Sequence, residues 1–462
     1  TFSIFSKDNK TNIIVEFSKY LNIVLITLYT YYAFRIFGYS DKKKKNRTFG
    51  KMNRIIFILH FICYSILYIN TENFKIILLY LMELALLITV ICLYQWIYQG
   101  LSKLILHNMI LLLTIGFIIQ TRLSYSKTIR QFAITAAALG ICLVIPLLID
   151  KLKTLSKLGW FYGFSGILLL LSVLVFGVEN HGATNWIVLF GIQIQPSEFV
   201  KILFVFCIAS LLSKRTDFRH VVCVTLLAAT HVLILVLEKD LGGALIFFIT
   251  YLVMLYIATS QPFYFFSGLA AGCLASYLAY YRFYHVRVRV MAWKDPWTLI
   301  DKEGYQVSQS LFAIGTGSWF GLGLTKGLPT SIPVVDSDFI FSAISEEMGG
   351  IFALCMILIC ISCFIMFINI AMKIHDIFYK LIAMGLSVMY IFQVFLSIGG
   401  VTKFIPSTGV TLPLISSGGS SILSSIIMFS VIQGLYVLNQ DRIDHVKKNE
   451  SKAKKRKKQK IQ

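Results

Sequence analysis

The chain has 462 residues, 57% of them hydrophobic and 14% charged, with a formal net charge of +21. A soluble globular domain carries about a quarter charged residues, and here the apolar residues run on without polar faces, which excludes a soluble globular fold. The cations sit in short runs between apolar segments and from Arg442 to Lys460. That is the pattern of cytoplasmic loops, not the basic patch of a nucleic-acid binder.

Runs of about 18 or more apolar residues read as membrane-spanning helices. Thirteen such segments are predicted, and the fold class is therefore an all-α integral membrane protein, a polytopic helical bundle. Three come first, at 12–38, 54–69 and 74–97. Ten follow, at 104–122, 131–150, 158–178, 197–213, 219–237, 241–258, 261–283, 338–365, 376–400 and 413–438. All nine cysteines lie inside these segments. There they act as small hydrophobes and imply neither disulfides nor a metal site.

The charges set an expected orientation. Asp41–Arg54, with four consecutive lysines, belongs on the cytoplasmic side. Alternation from there places Asp150–Lys157, Ser213–His220 and the Lys-rich C-terminus inside as well. The connection Thr121–Arg130 breaks the rule, because it carries Arg122, Lys127 and Arg130 yet falls outside. Two outside connections are long, Glu179–Pro196 and Tyr284–Ser337, the second of more than fifty residues. Long connections are usually functional, so the working surface is expected to be extracytoplasmic.

Ionisable residues at membrane depth mark functional sites by default. Glu198 and Lys201 follow Pro196-Ser197, residue types that open helices. Three residues apart, they share a helix face and can pair. The pair is open to two readings, one functional and one that only orients the helix. Glu238, Lys239 and Asp240 form a second charged cluster, which turn chemistry alone reads first as an ordinary polar turn. In the long loop, Arg282, Arg287 and Arg289 have the planar forks that suit phosphate. Asp295 and Asp301 are carboxylates able to serve as a general base. The glycines from Gly315 to Gly323 fit no nucleotide-binding spacing and read as a turn. Asp338 stands near a helix start, where its charge suits the helix dipole. Glu346 and Glu347 lie about two turns further and need partners. Pro406 to Ser421 breaks an apolar region with Pro, Gly and Ser, which is tolerated beside protein or a cavity.

An ordered set of motifs goes further. Gly182–Ile187 and Gln195–Lys201 come first, then Lys239-Asp240-Leu241-Gly242 and Asp295-Pro296-Trp297. Gly304-Tyr305-Gln306 with Gln309-Ser310, Asp338–Phe341 with Glu346-Glu347, and Thr408–Ser421 complete it. Together they resemble the SEDS family of peptidoglycan glycosyltransferases (RodA, FtsW and SpoVE), with RodA the form expected. The resemblance covers residues 104–438, the ten-helix family core. It leaves 1–103 as an N-terminal extension with about three transmembrane helices, and 439–462 as a basic cytoplasmic tail. The chain departs from the family pattern at Asn185, where arginine is usual, and at Val334 and Asp336, where Glu and His are usual.

The resemblance implies an enzyme that polymerises lipid II into glycan strands at the outer face of the bacterial cytoplasmic membrane, for cell shape, elongation or division. By position, Asp301 matches the family's essential aspartate, with Asp295 as rival because the spacing to the glycine is short. Glu198 and Lys201 match paired charges in the central cavity. Arg289, Lys239, Asp240, Gln306, Asp338, Glu346, Ser416 and Ser420 are the other substrate or cavity residues. A divalent cation, Mg or Mn, is possible on this reading, and no organic cofactor is expected. The expected partners are lipid II, membrane lipid and a class B penicillin-binding protein, with no nucleic acid. A lipid II flippase and a non-catalytic wall-synthesis scaffold are the competing functions.

Overall fold

The computed structural model describes residues 2–151, 153–180, 183–189 and 192–459. Three helices come first: α1 (Phe2–Arg35), α2 (Lys42–Thr71) and α3 (Phe74–Ile97). Then come α4 (Lys103–Leu123), α5 (Tyr125–Cys142), the short α6 (Ile145–Lys151) and α7 (Gly159–Phe176). An antiparallel meander follows, β1 (Val178–Asn180), β2 (Ala183–Leu189) and β3 (Ile192–Ile194), in that spatial order. Next are α8 (Pro196–Leu212), α9 (Phe218–Leu237), α10 (Leu241–Thr259), α11 (Pro262–Arg282), α12 (Tyr284–Lys294) and α13 (Tyr305–Gly317). The chain closes with α14 (Ile340–Met348), α15 (Gly350–Lys373), α16 (Ile377–Val401) and α17 (Gly419–Gln459). Among the described residues, 12 helical spans are long and apolar enough to cross a membrane. The 17-residue α8 sits at the lower limit of about 17 residues. The protein is a multi-pass membrane protein.

Aspartates start several of these helices. Asp41 accepts from Lys43 N at 2.8 Å, Asp240 from Gly243 N at 2.8 Å and Asp376 from Phe378 N at 3.0 Å. Each cap satisfies an amide that the helix leaves unpaired, worth about 1 kcal/mol. The cap at Asp41 corrects one expectation. The run of lysines is the first turn of α2, and the predicted span at 54–69 begins at Lys42.

α4 is the centre of the bundle, and every residue from Leu104 to Thr121 is buried. The N-terminal helices enclose it on one side with hydrogen bonds as well as apolar contact. Tyr29 Oη donates to Asn108 Oδ1 at 3.0 Å, and Asn108 Nδ2 donates to Ser362 Oγ at 3.3 Å. The hydroxyls of Tyr64 and Thr121 lie 2.9 Å apart. Within the extension, His60 on α2 meets Glu83 on α3 at 3.1 Å, both fully buried.

Three further expectations change. The segment 338–365 is not one helix, because Gly349, at φ +90°, breaks it into α14 and α15. A Cβ at Gly349 would lie 2.4 Å from Gly321 N, so the break and the close packing need the same glycine. The last span starts at Gly419 rather than 413, after irregular backbone over 402–418. Thr121–Arg130 is not a loop, since only Ser124 separates α4 from α5. Two of its three cations have their own counter-ions: Arg122 meets Glu347 at 3.0 Å, and Lys127 meets Asp336 at 2.9 Å.

Candidate active site

The connections α7–α8, α9–α10, α11–α15 and α16–α17 meet at one end of the bundle. Thr184 N donates to Glu238 O at 3.2 Å, Arg289 Nη1 to Ser407 O at 3.2 Å and Ser416 Oγ to Ser337 O at 2.5 Å. Just below them lies a cavity of about 30 Å³, lined by Gln195, Ser197, Glu198, Lys201, Asp240 and Thr411 among others.

Pro196 opens α8, as the sequence predicts, and so aims the first two turns of that helix into the cavity. Lys201 Nζ lies 2.8 Å from Glu198 Oε2 and donates to Gln393 Oε1 at 2.9 Å. Ser424 Oγ donates to the same Glu198 oxygen at 2.6 Å. The pair is nearly buried, at 8% and 6% exposure for Glu198 and Lys201. Gln393 is fixed in turn by donating from Nε2 to Thr411 O at 3.1 Å. Asp240 accepts from Ser197 Oγ at 3.3 Å and caps α10 through Gly243 N. Burial raises the Asp240 carboxyl above its ordinary value, while the Gly243 bond, Lys201 and Arg289 pull it back down.

Arg289 bridges the cavity mouth to the long loop. Burial lowers its guanidinium, opposed by the nearby carboxylates of Asp240 and Asp338. Gly409, at φ +71°, leaves room between them, since a Cβ there would sit 3.4 Å from Asp338 Oδ2 and 4.0 Å from Arg289 Nη2. The structure therefore brings Glu198, Lys201, Asp240, Arg289 and Asp338 into one electrostatic cluster. Lys239 stands at the turn beside it, at φ +63°, close enough to help lower the His285 imidazole. Gln306 is half-buried in the first turn of α13.

Other sequence candidates hold the loops. Ser416 Oγ accepts from Leu412 N at 2.8 Å, and Ser420 Oγ accepts from Gln195 N at 3.0 Å. Glu346 Oε1 accepts from Leu328 N at 2.9 Å. Glu347 Oε1 accepts from Arg122 Nε at 3.0 Å and Gly327 N at 3.3 Å. The glycine stretch packs on α14: a Cβ at Gly317 would lie 2.1 Å from Ser345 O, and at Gly321 2.4 Å from Glu347 O. Close backbone packing, not phosphate, accounts for these glycines.

Asp295 and Asp301 stand apart from the cavity lining, on the turn between α12 and α13, and both are exposed. Asp295 Oδ1 accepts from Thr298 N at 3.3 Å. The turn is anchored where Trp293 Nε1 donates to Lys403 O at 3.1 Å and Ser308 Oγ to Pro296 O at 3.1 Å.

Sequence reasoning missed Gln393 and Ser424, and read Ser197 only as a residue that opens a helix. The available signal was a polar side chain within an apolar helix, which must find a partner. Among the described residues no three His, Cys, Asp or Glu side chains converge. Glu198 is also committed to Lys201, and Asp240 to Ser197 and Gly243.

Glu238 is fully buried, and among the described residues neither carboxylate oxygen has a partner. Burial, reinforced by Asp240, pushes its carboxyl from 4.5 up to about 9. The folded protein thus keeps a proton that the unfolded chain loses above about pH 4.5. The contribution of this group to stability is full at low pH and falls as pH rises toward 9. Glu238→Gln, neutral throughout, is expected to match the wild type in thermal unfolding near pH 4.5. It should exceed it by on the order of 2–4 kcal/mol at pH 8. Parallel pH series for the two proteins would refute the assignment.

The chain matches a family model described as cell cycle protein, FtsW/RodA/SpoVE, over residues 101–440. It is 34% identical over 324 residues to the peptidoglycan glycosyltransferase RodA of Mycobacterium leprae, covering 67% of this chain and 70% of that one. It is 33% identical over 365 residues to a probable peptidoglycan glycosyltransferase FtsW of Aliivibrio salmonicida, covering 76% and 88%. Among solved structures it resembles a chain of a peptidoglycan synthase complex that coordinates polymerization and crosslinking. There the TM-score is 0.62 at 25% identity, over 74% of this chain and 98% of that chain. The motifs, the helical bundle and this match over most of its length agree, and the chain belongs to the FtsW/RodA/SpoVE family.

Proposed function

We propose that this protein is a peptidoglycan glycosyltransferase that polymerises lipid II into glycan strands. The observation that carries the reading is the family match across 101–440, which contains the whole Glu198–Lys201–Asp240–Arg289–Asp338 cluster. The loop end of the bundle is the extracytoplasmic face, with the C-terminus in the cytoplasm, because the lysine-rich runs fall at the opposite end. The partner is a class B penicillin-binding protein. Likeness to a chain of a complex that couples polymerization to crosslinking supports that choice.

In the reaction, the 4-hydroxyl of the acceptor sugar attacks the anomeric carbon of the donor. The new glycosidic bond forms as the bond to undecaprenyl pyrophosphate breaks. Asp301 takes the hydroxyl proton as general base, a role worth about 10²–10⁴-fold. Arg289, fixed by Ser407 O, meets the charge that develops on the leaving pyrophosphate. Lys201 and Glu198 hold α8 and α16 at the spacing that keeps the cavity open. The purified protein, with its penicillin-binding partner blocked at the transpeptidase site, is expected to turn lipid II into polymer on a gel. Absence of polymer, where another family member produces it, would overturn the reading.

A further inference from the structure

The N-terminal helices lie outside the family match, which begins at residue 101. α1 has 34 residues, about 51 Å at 1.5 Å per residue, against about 30 Å for the hydrocarbon core of a bilayer. Its C-terminal half is seated in the bundle by Tyr29 on Asn108 and by Thr27 Oγ1, 3.7 Å from Cys355 Sγ. Its N-terminal half reaches the long loop. Lys326 Nζ donates to Asn12 Oδ1. The rings of Tyr20 and Phe320 lie 5.7 Å apart. Val15 is 1% exposed although Ile13 and Phe17 beside it are 63% and 72% exposed, so one face of the helix is covered. What covers it includes Gly323, at φ +100°, where a Cβ would sit 2.7 Å from Val15 Cγ1.

The loop segment so contacted is gripped on its other side by α14. Leu322 N donates to Glu346 O and Gly323 N to Glu347 O, both at 2.9 Å. Arg122 Nη2 donates to Gly327 O at 3.1 Å. Immediately before this segment runs α13, whose first turn follows the Asp295–Asp301 turn.

We propose that α1 is a positioning strut that pins segment 318–328 against α14 and thereby fixes, through α13, the turn bearing Asp295 and Asp301. Its effect on turnover rests on the glycosyltransferase reading above; the pinning itself does not. Asn12, Val15 and Tyr20 are positioning residues on this view, and none of them touches the cavity.

The test is the full-length protein in lipid nanodiscs with Asn12, Val15 and Tyr20 all changed to Ala, beside the lipid-facing control Phe17→Ala. Amide hydrogen exchange over 318–328 is expected to rise about tenfold in the triple variant, while exchange over 24–35 stays unchanged because Thr27 and Tyr29 keep the helix seated. For lipid II polymerisation, kcat is expected to fall severalfold at unchanged KM, because the turn is displaced but the cavity is not. Phe17→Ala moves neither readout. Unchanged exchange over 318–328 overturns the strut, as does a loosened segment with kcat intact. If the wild type makes no polymer, the exchange result still decides the pinning, and only the glycosyltransferase reading fails.

Discussion

Lys201→Met is expected to abolish glycan synthesis and to destabilise the folded protein by about 3–5 kcal/mol. The Nζ group stands between Glu198 Oε2 at 2.8 Å and Gln393 Oε1 at 2.9 Å, in a nearly buried setting. Removing it leaves Glu198 with Ser424 as its remaining hydrogen-bond donor, and an uncompensated buried charge is the costly outcome. The double variant Glu198→Gln, Lys201→Met separates the two open readings of this pair. Exchanging a buried ion pair for neutral groups of similar volume is often close to neutral, so thermal unfolding should return near the wild-type value. Activity should stay lost, because the cavity then lacks the Lys201 cation and Asp240 keeps Arg289 alone as its positive neighbour. Recovery of polymer synthesis by the double variant would show that the pair only orients α8. A single variant as stable as the wild type would show that the buried pair is not the linchpin the distances imply.

The membrane spans were legible because a bilayer core leaves the backbone no partner but itself, and that demand writes long apolar runs into the sequence. The Glu198–Lys201 pair was legible because both residues lie within one helical turn, a spacing that periodicity alone reveals. The break at Gly349 was not. Glu346-Glu347-Met348-Gly349-Gly350 joins the two helices, and the acidic pair reads as charge buried within a span rather than as a helix end; the contact of Gly349 with Gly321 accounts for the interruption. The meander of β1, β2 and β3 was hidden for a related reason: its strands are short and lie between two apolar helices, α7 and α8. Pairings across long separations leave no local trace. Arg122 and Glu347 are 225 positions apart, so nothing near Arg122 in the sequence announces its partner. Arg289 was singled out for phosphate, but its nearness to Asp240 and Asp338 depends on loops that only the folded bundle brings together.

Asp301→Asn is expected to lower lipid II polymerisation by about 10²–10⁴-fold, the range for loss of a general base, with little change in thermal stability. Asp295→Asn is expected to cost less than about tenfold in rate and little in stability, since an asparagine oxygen can still accept from Thr298 N and brace the turn in the manner of a cap. The difference follows from what each side chain does. Asp295 Oδ1 accepts from Thr298 N, which holds the backbone between α12 and α13 in shape. Asp301 sits six residues on, exposed, at a point where a sugar hydroxyl can approach it. The two variants should be assayed beside the wild type, with the penicillin-binding partner blocked at its transpeptidase site. Failure of Asp301→Asn alone establishes the base. Failure of Asp295→Asn alone moves the role six positions upstream, with the enzyme reading intact and the motif alignment of this turn wrong. If both variants keep wild-type rates, the base is neither, and Asp240 and Asp338 beside Arg289 are the next carboxylates to replace. If the wild type itself is silent while lipid II still crosses the bilayer of a reconstituted vesicle, the cavity serves transport. If it is silent in both assays, it serves as a scaffold.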